Sequence, residues 1–261
     1  MEIITSRHNK KLSSLLSLYE KKSRDKSRKF IIDGRKLYIE ALQNNAGISD
    51  IICSESYYHE YSKELVKEPI VITDELFLSV SNEKAPQGII TAVDFLENVS
   101  NEFSCDDFDN KQIFVCDNVQ DPGNLGTIIR TAYAFGNSRL VLSGNCADLY
   151  NPKTLRASMG NIFKLPLFIC DSIEDIIPDL KKSHRVFAAA LHKDSVQLSD
   201  LKINKSDCFI VGNEGHGLSD RVIELCDGTV FIPMEKDAES LNVSQAATVL
   251  LWEMKKARET D

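Results

Sequence analysis

The sequence predicts two α/β domains of different construction, joined by a polar linker. Along the 261 residues, short β-rich runs alternate with helix-like segments on both sides of one polar, acidic stretch. The β-rich runs of the second half are almost continuously apolar, which is typical of a parallel sheet covered on both faces. With 43% hydrophobic and 27% charged residues, the composition is that of an ordinary globular protein with enough apolar material for two cores.

The first domain is predicted over residues 1–96. Its strand-like runs are FIID, DIIC, PIVIT and GIITAVDF, and its helix-like segments are RKLYIEALQNN, YHEYSKELV and DELFLSVS. The segment LENVSNEFSCDDFDNKQ then has no hydrophobic period, so we expect a linker over residues 97–111.

The second domain is predicted over residues 112–261. Its strand-like runs are QIFVCDN, SRLVLSG, KLPLFIC, RVFAAAL, DCFIVGN and TVFIPM. In an open parallel sheet, ligands bind beyond the carboxyl ends of the strands, so the residues after these runs carry most information about function. None of these runs is followed by GxGxxG, which disfavours a nucleotide-dependent dehydrogenase.

Bulk features restrict the class of protein. No stretch approaches the roughly 18 apolar residues that a membrane helix needs, and MEIITSRHNKK lacks the apolar core of a signal peptide. We therefore expect a soluble, cytoplasmic protein with no membrane contact. The seven cysteines show no CxxC pair, so we expect reduced thiols and no metal site.

The charge is distributed unevenly. The net charge is −8, yet residues 1–36 hold eleven Lys and Arg against four acidic residues, a balance of +7. A basic arm on an acidic body indicates local contact with phosphate. The alternative is a solvated helical surface segment. The candidate phosphate-binding residues in this arm are Lys21, Lys22, Arg24, Lys26, Arg28 and Lys29.

Three loops after strands are unusual. DNVQDPGNLGTIIRTAYAFG, residues 117–136, places Asn124 at the mouth of a helix and Arg130 six residues later. From physical chemistry alone, a helix cap and a surface charge are the favoured interpretation of these two residues. FIVGNEGHGLSD, residues 209–220, brings three glycines around Glu214, whose charge disfavours a phosphate cradle; a common glycine-rich turn is the alternative.

The third loop leads into the last helix. In TVFIPMEKDAESLNVSQAATVLLWEM, Asn242 or Ser244 can cap a helix that carries apolar residues on one face. Capping explains one or two polar residues here. It does not explain Ser240, Asn242 and Ser244 together.

Taken together, the three loops closely resemble the signature motifs of the SpoU (TrmH-like) family of RNA ribose 2′-O-methyltransferases, of the SPOUT class. The matching stretches are NVQDPGNLGTIIRTA, VGNEGHGLS and IPMEKDAESLNVSQAATVLLWE, in the family's order and spacing. The amino-terminal part, from ITSRHNKKLSSLL through GRKLYIEAL to PQGIITAV, is similar to the ribosomal-protein-like RNA substrate-binding domain that many such enzymes carry.

The resemblance implies an α/β trefoil-knot domain with a parallel sheet, S-adenosylmethionine as cofactor and a homodimer. It makes Gly212, Ile232 and Leu241 cofactor contacts, with Leu191 lining the same pocket, and it makes Asn124, Arg130, Glu214, Ser240 and Asn242 the active-site set, with Asn242 also near the cofactor. The implied substrate is RNA. Ribosomal RNA is favoured by the separate amino-terminal domain, transfer RNA is the alternative, and a non-catalytic RNA-binding relative is a further one. Arg130 is either the base or a clamp for phosphate and oxyanion.

Overall fold

A computed structural model describes residues 3–102, 111–235, 237 and 240–259. The chain forms two compact units. The first contains Met1–Glu97 and Asp148–Phe163, and the second contains Asn98–Ala147 and Lys164–Asp261.

The first unit is built on a five-stranded mixed sheet of order β1-β4-β3-β5-β2. The strands are β1 (Ile3–Ile4), β2 (Lys29–Asp33), β3 (Ile48–Ser54), β4 (Ile70–Ile72) and β5 (Ile89–Asp94). Strands β1, β4 and β3 pair in parallel, whereas β5 runs antiparallel to both β3 and β2. All four predicted β-rich runs of this domain are strands.

The helices of the first unit cover this sheet. They are α1 (Lys10–Leu16), α2 (Lys21–Ser27), α3 (Arg35–Gln43), α4 (Glu55–Tyr61), α5 (Asp74–Val80) and α7 (Pro152–Ser158). Side-chain caps fix several starts: Asn9 accepts from the amides of Lys11 and Leu12, and Thr73 accepts from the amide of Leu76. The buried apolar residues of α1 and α5 then pack on Ile31, Ile52 and Ile90 of the sheet.

Residues 148–163 belong to the first unit although they lie within the stretch predicted as the second domain. Tyr150 explains the placement, because its ring stacks on Phe30 at a centroid distance of 4.5 Å and on Phe95 at 4.2 Å. Its hydroxyl also accepts a hydrogen bond from the amide of Leu96 at 3.1 Å. An aromatic stack of this kind holds an excursion of the chain against a distant part of the sequence.

The second unit is built on an eight-stranded sheet of order β11-β13-β10-β12-β7-β8-β9-β6, in which every neighbouring pair is parallel. The strands are β6 (Val99–Ser100), β7 (Ile113–Cys116), β8 (Arg139–Ser143), β9 (Leu167–Cys170), β10 (Arg185–Ala189), β11 (Val196–Gln197), β12 (Asp207–Val211) and β13 (Gly228–Phe231). All six predicted runs are strands, and β6 uses the start of the predicted linker. Residues 103–110 of that linker lie outside the described residues.

Among the described residues of the second unit, four segments are α-helices. They are α6 (Pro122–Ala134), α8 (Ile173–Leu180), α9 (Asp220–Leu225) and α10 (Val243–Glu259). Helix α8 packs Ile173, Ile176 and Ile177 into one core cluster with the sheet. Helices α6 and α10 pack against each other and bury the apolar residues Ile128, Ile129, Leu250, Leu251 and Met254.

The order of strands brings two loops together. From β7 the chain proceeds outward to β8 and β9, and then crosses to β10 on the other side, with β12 filling the place next to β7. Val211 of β12 pairs with Cys116 of β7, so the loops that follow these two strands leave the sheet side by side. Such a reversal of strand order is where open α/β sheets bind ligands.

Two negative observations concern the described residues alone. Within them, no helix has both the length and the apolar character needed to cross a bilayer. In the same part of the chain, no group of three or more His, Cys, Asp or Glu is arranged to hold a metal ion.

Candidate active site

The first loop connects β7 to α6. Asp121 caps this helix, since its side chain accepts from the amide of Asn124 at 2.9 Å, and Pro122 occupies the first helical turn. The alternative interpretation of Asn124 as the helix cap is therefore wrong. Because Asp121 takes that role, the carboxamide of Asn124 is available for other partners.

The second loop is a tight hairpin after β12. Asn213 and Gly217 exchange two backbone hydrogen bonds of 3.0 Å each, and Gly217 has a φ of +68°. The side chain of Asn213 accepts from the amides of Gly215 and His216 and donates to the carbonyl of Asn118 at 3.0 Å. Asn213 therefore fixes the hairpin internally and ties it to the first loop.

Glu214 at the tip of this hairpin is the anion of the site. Its carboxylate accepts from the amides of Gln120 at 3.3 Å and Asp121 at 3.2 Å, and from the Asn124 side chain at 3.0 Å. Burial raises the pKa of Glu214, but the hydrogen bonds from Asn124 and from backbone amides outweigh it and hold the pKa below its ordinary value. Glu214 is consequently ionised near neutral pH.

The third loop ends at Asn242. Of the two predicted caps of α10, Asn242 and Ser244, the structure has Asn242 in this role. Its Oδ1 accepts from the amide of Ser244 at 2.9 Å and from the Ser244 hydroxyl at 2.6 Å. Its Nδ2 donates to Oδ1 of Asn124 at 3.0 Å. Asn242 thus caps α10 and at the same time contacts the first loop.

These contacts form one chain of side chains that joins all three loops. Glu214 accepts from the amide group of Asn124, whose carbonyl accepts from Asn242, whose carbonyl in turn accepts from Ser244. Each carboxamide can satisfy this chain in one orientation only, because its nitrogen donates and its oxygen accepts. Three of the five predicted active-site residues are therefore in direct hydrogen-bonded contact.

A cavity of about 420 Å³ opens beyond the carboxyl ends of β10 and β13. Leu191, Ile232, Ser240 and Leu241 line it, so three predicted cofactor contacts and one predicted active-site residue share one wall. The rest of the lining is mainly apolar and includes Ala189, Val230, Phe231, Met234, Ala246 and Leu250. The volume is in the range of small-ligand sites, and the walls suit an apolar ligand with a few polar groups. Residues 236, 238 and 239 lie outside the described residues.

Sequence and structure comparisons agree on the relatives of this chain. A family model described as the SpoU rRNA Methylase family matches residues 111–252, and an MRM3-like substrate binding domain matches residues 9–91. The chain is 30% identical to the 23S rRNA (guanosine(2553)-2′-O)-methyltransferase RlmP of Bacillus subtilis, over 98% of this chain and 100% of that protein.

The chain belongs to the SpoU rRNA methylase family.

Two further relatives support this membership. The 23S rRNA (uridine(2479)-2′-O)-methyltransferase of Streptomyces viridochromogenes is 27% identical over 98% of this chain and 92% of its own length. The crystal structure of an AdoMet-bound rRNA methyltransferase from Sinorhizobium meliloti is 28% identical, with a TM-score of 0.83 over 98% of this chain and 97% of that one. The predicted family and α/β SPOUT fold are confirmed, and with them the prediction of an S-adenosylmethionine-dependent methyltransferase.

Gly212, a predicted cofactor contact, has a structural role in this SpoU domain. A Cβ at this position would lie 2.5 Å from the carbonyl carbon and oxygen of Gly217 and 2.7 Å from the nitrogen of Leu218. The hairpin that presents Glu214 closes only because residue 212 has no side chain. Gly212 is not among the residues that line the cavity in the described part of the chain.

Arg130 lies apart from the other predicted active-site residues. It is exposed on α6 and makes no hydrogen bond or ion pair with the described residues. Six helical positions separate it from Asn124, which corresponds to about 9 Å along the axis and about 120° around it. Within one SpoU chain, Arg130 therefore does not join the Glu214–Asn124–Asn242 contacts.

The structure also identifies residues that sequence reasoning did not single out. Asp121 and Asn213 organise the first two loops. Asn118 has a φ of +56°, and its backbone amide donates a hydrogen bond to the hydroxyl of Ser143 at 2.8 Å. An Asp directly before Pro-Gly is a recognisable helix start, so Asp121 could have been found. The roles of Asn213 and Asn118 depend on contacts between the loops, which local sequence does not indicate.

The predicted RNA-binding residues of the basic arm divide into two groups. Arg24 is only 3% exposed; its guanidinium donates to the carbonyls of Leu18 at 3.0 Å and Tyr19 at 2.7 Å and pairs with Asp148. Its prediction as a phosphate contact is wrong, because all of these bonds hold it inside the first unit. Lys22 and Lys26 are exposed, as is Arg28, whose guanidinium lies 4.4 Å from the Phe95 ring centroid.

The other two lysines of the arm have acidic neighbours. Lys21 pairs with Asp25 at 3.1 Å and Lys29 lies 3.7 Å from Asp94. Exposed pairs of this kind are weak, and both lysines can exchange such a partner for phosphate.

Proposed function

We propose that this protein transfers a methyl group from S-adenosylmethionine to a ribose 2′-hydroxyl of large-subunit ribosomal RNA. The observation that carries the proposal is the contact chain Glu214–Asn124–Asn242, which joins three loops, the third of which lines the apolar cavity. The relatives from Bacillus subtilis and Streptomyces viridochromogenes are 23S rRNA 2′-O-methyltransferases, which supports this substrate class. A cytoplasmic location is the expectation that goes with such a substrate.

The cavity residues fit the cofactor. Leu191, Ile232 and Leu241 offer apolar contacts for an adenine ring and an aliphatic chain, and the Glu235 carboxylate in the lining has the charge that attracts a sulfonium or an ammonium group. When bound, S-adenosylmethionine supplies an activated methyl group on a good leaving group. Asn242 lies one residue beyond this wall and connects it to Asn124. Gly212 contributes indirectly, because its lack of a side chain lets the hairpin that carries Glu214 close.

Positioning is the main demand of this reaction, because an in-line displacement requires the attacking oxygen and the methyl carbon to be aligned. Asn124 and Asn242, held by Glu214, present fixed amide groups, and Asn242 directly follows the cavity residue Leu241. Ser240 lines the cavity on the same side. These residues orient the ribose and keep it in line with the methyl group.

Arg130 completes the site as a clamp. A guanidinium group holds its proton firmly, so it is a poor base at neutral pH but a strong partner for phosphate and for a developing oxyanion. Its exposed, unengaged position on α6 is compatible with this role towards RNA.

The proposal includes a homodimer in which Arg130 of one subunit serves the site of the other. Helices α6 and α10 together expose Tyr133 and Trp252 at 42% and 44%. Trp252 also contacts Phe135 at a centroid distance of 5.4 Å, so Trp252 lies where α10 meets the carboxyl end of α6. Large exposed aromatic side chains are typical of the cores of protein interfaces.

The two domains have separate tasks in this proposal. Residues 1–96 bind RNA through the exposed cations Lys22, Lys26 and Arg28, with Lys21 and Lys29 beside them, and residues 112–261 carry out methyl transfer. Replacing Lys22, Lys26 and Arg28 by Gln is expected to lower the slope of log affinity against log salt by roughly 2, because each phosphate contact on single-stranded RNA contributes about 0.7. Calorimetry should find the affinity for S-adenosylmethionine unchanged.

The test is methyl transfer from radiolabelled S-adenosylmethionine to RNA from a strain in which the gene is deleted. Ribosomal RNA should accept label at a ribose. Transfer RNA labelled instead of ribosomal RNA would contradict the substrate, and cofactor binding without transfer to any RNA would indicate a non-catalytic relative.

Two inactive variants test the shared site. Arg130→Ala is expected to abolish transfer while sparing cofactor affinity, as is Asn124→Ala. If Arg130 acts across the interface, refolding the two variants together restores one intact site in each mixed dimer. Full activity of Arg130→Ala alone would refute its role, and no recovery in the mixture would place Arg130 in the site of its own subunit.

A further inference from the structure

The first unit contains a cavity of about 510 Å³ that the methyl-transfer site does not use. It lies between α3 and α4 and the residue Gln87 before β5. Its lining combines two aromatic rings with cationic and amide groups: Arg35, Lys36, Ile39, Tyr57, Tyr61 and Gln87. This composition differs from that of the cofactor cavity, which is mainly apolar.

Two tilted aromatic rings and a guanidinium group form one part of this cavity. The Arg35 guanidinium lies over the Tyr61 ring, 4.7 Å from its centroid, and is held there by Glu64 at 2.7 Å. The rings of Tyr57 and Tyr61 are 4.9 Å apart between centroids. Aromatic rings and guanidinium planes are the surfaces on which unpaired bases stack.

A hydroxyl without a partner indicates that the cavity receives a polar ligand. Tyr57 is 4% exposed, and among the described residues no group meets hydrogen-bond geometry with its hydroxyl, although Arg35 lies near enough to act on its pKa. Burial raises the pKa of Tyr57 to about 12, so the hydroxyl remains a donor at neutral pH. A buried polar group that is left unpaired is costly, and a ligand atom would remove that cost.

The amino end of α3 offers backbone amides that can bind a phosphate. Gly34 precedes this nine-residue helix and has no side chain to cap it. The Gln87 side chain instead accepts a hydrogen bond from the amide of Arg35 at 2.8 Å. The next amides have no acceptor within the helix, and the exposed ammonium group of Lys36 stands beside them. Glu40 in the same lining is anionic, which suits base amino groups and keeps phosphate at the Lys36 side.

We propose that this cavity binds one unpaired nucleotide of the RNA substrate, with the base on the Tyr57, Tyr61 and Arg35 surface and a phosphate at Lys36 and the amino end of α3. The inference rests on the proposed RNA-modifying function. It adds that the amino-terminal domain reads a single-stranded position, whereas the basic helix α2 contacts the backbone without regard to base pairing.

The test measures binding of the full chain to ten-nucleotide single-stranded RNA and to an RNA duplex of the same length by fluorescence anisotropy. Tyr61→Ala should weaken single-strand binding roughly five-fold or more, the loss expected for one stacked base, while leaving duplex binding unchanged. Tyr61→Phe keeps a stacking ring and should restore the affinity. Tyr58→Ala, a tyrosine on the same helix outside the cavity lining, is the matched control and should bind as the wild type.

The phosphate part is tested separately. Lys36→Ala should lower the salt slope for single-stranded RNA by about 0.7, whereas Lys63→Ala, an exposed lysine outside the cavity lining, should not. Tyr57→Phe removes the hydroxyl alone; it should reduce single-strand affinity without lowering the thermal midpoint of the protein.

Two outcomes would overturn the inference: single-strand affinity of Tyr61→Ala equal to that of the wild type, or an equal loss in Tyr58→Ala. Either result with intact methyl transfer by the wild type would refute only the nucleotide site. A wild type that binds RNA but methylates none would refute the proposed function instead.

Discussion

Replacement of Gly212 by Ala is a direct test of how the second loop presents Glu214. The added Cβ would lie 2.5 Å from backbone atoms of Gly217, where carbon atoms in contact are normally about 3.5–4.0 Å apart. The opposing atoms belong to the backbone and cannot rotate away. The hairpin must therefore open by about 1 Å, and overpacking of this kind costs roughly 1–3 kcal/mol.

This free-energy cost should be measurable in the hairpin itself. The amides of Gly215, His216 and Gly217 are hydrogen-bonded inside the hairpin, so their hydrogen exchange should be roughly ten-fold faster or more in Gly212→Ala, since about 1.4 kcal/mol corresponds to a factor of ten. Methyl transfer should fall by about 100-fold, the loss expected when reacting groups are misplaced by about 1 Å.

Gly215→Ala is the matched control. It makes the same chemical change in the same loop, but its Cβ would meet only the Asn213 side chain at 3.6 Å, an ordinary contact. Hydrogen exchange and methyl transfer close to wild-type values are expected. The reasoning is refuted if Gly212→Ala behaves as the wild type, or if both alanine variants are impaired to the same degree.

Arg24→Ala should lower the free energy of unfolding by about 3–5 kcal/mol because it leaves buried partners unpaired, whereas the exposed Lys26→Ala should not; equal thermal midpoints would contradict the burial argument. Glu214 has a lowered pKa, so its stabilising contribution is complete above the ordinary value of 4.5 and is lost as pH falls through the folded-state pKa. Glu214→Gln should therefore have a lower thermal midpoint than the wild type at about pH 7, and the difference should shrink as the pH falls below the ordinary value of 4.5; a constant difference would be incompatible with this. Trp252→Lys should convert a dimer to a monomer in sedimentation, whereas Trp252→Phe should not; an unchanged dimer would exclude Trp252 from the interface.

Much of the fold could be predicted from the sequence because burial leaves a clear pattern. Strands of the parallel sheet are apolar on both faces, so runs such as IFVC and DCFIV were recognisable, and the loops that follow them were found with them. The position of residues 148–163 was not predictable. A helical pattern identifies an amphipathic segment but does not indicate which of two sheets it covers. Here the stacking of the Tyr150 ring on Phe30 and Phe95 determines that the segment joins the first unit.

Counts of charged residues were less informative, because they do not indicate whether a side chain points into the protein or towards solvent. Arg24 contributed to the basic balance of the arm as fully as Lys26 did, yet one side chain is turned inward to backbone carbonyls and the other is exposed. A glycine in the sequence is ambiguous in a similar way, because the space that it leaves can be filled by a ligand or by backbone. Gly212 was expected to admit a ligand, and the structure indicates that it admits the backbone of its own hairpin.

The hydrogen bonds of Glu214 also limit how the reaction can proceed. A general base is most effective when its pKa lies near the working pH, yet the contacts of Glu214 lower its pKa. The same contacts that make Glu214 a good anchor for Asn124 therefore make it a poor acceptor for the proton of the ribose hydroxyl. Asn124, Asn242 and Ser240 do not titrate in the physiological range. This group of residues can hold the two reactants in line, and the charge that develops on the oxygen must be met by a cation, for which Arg130 is the candidate.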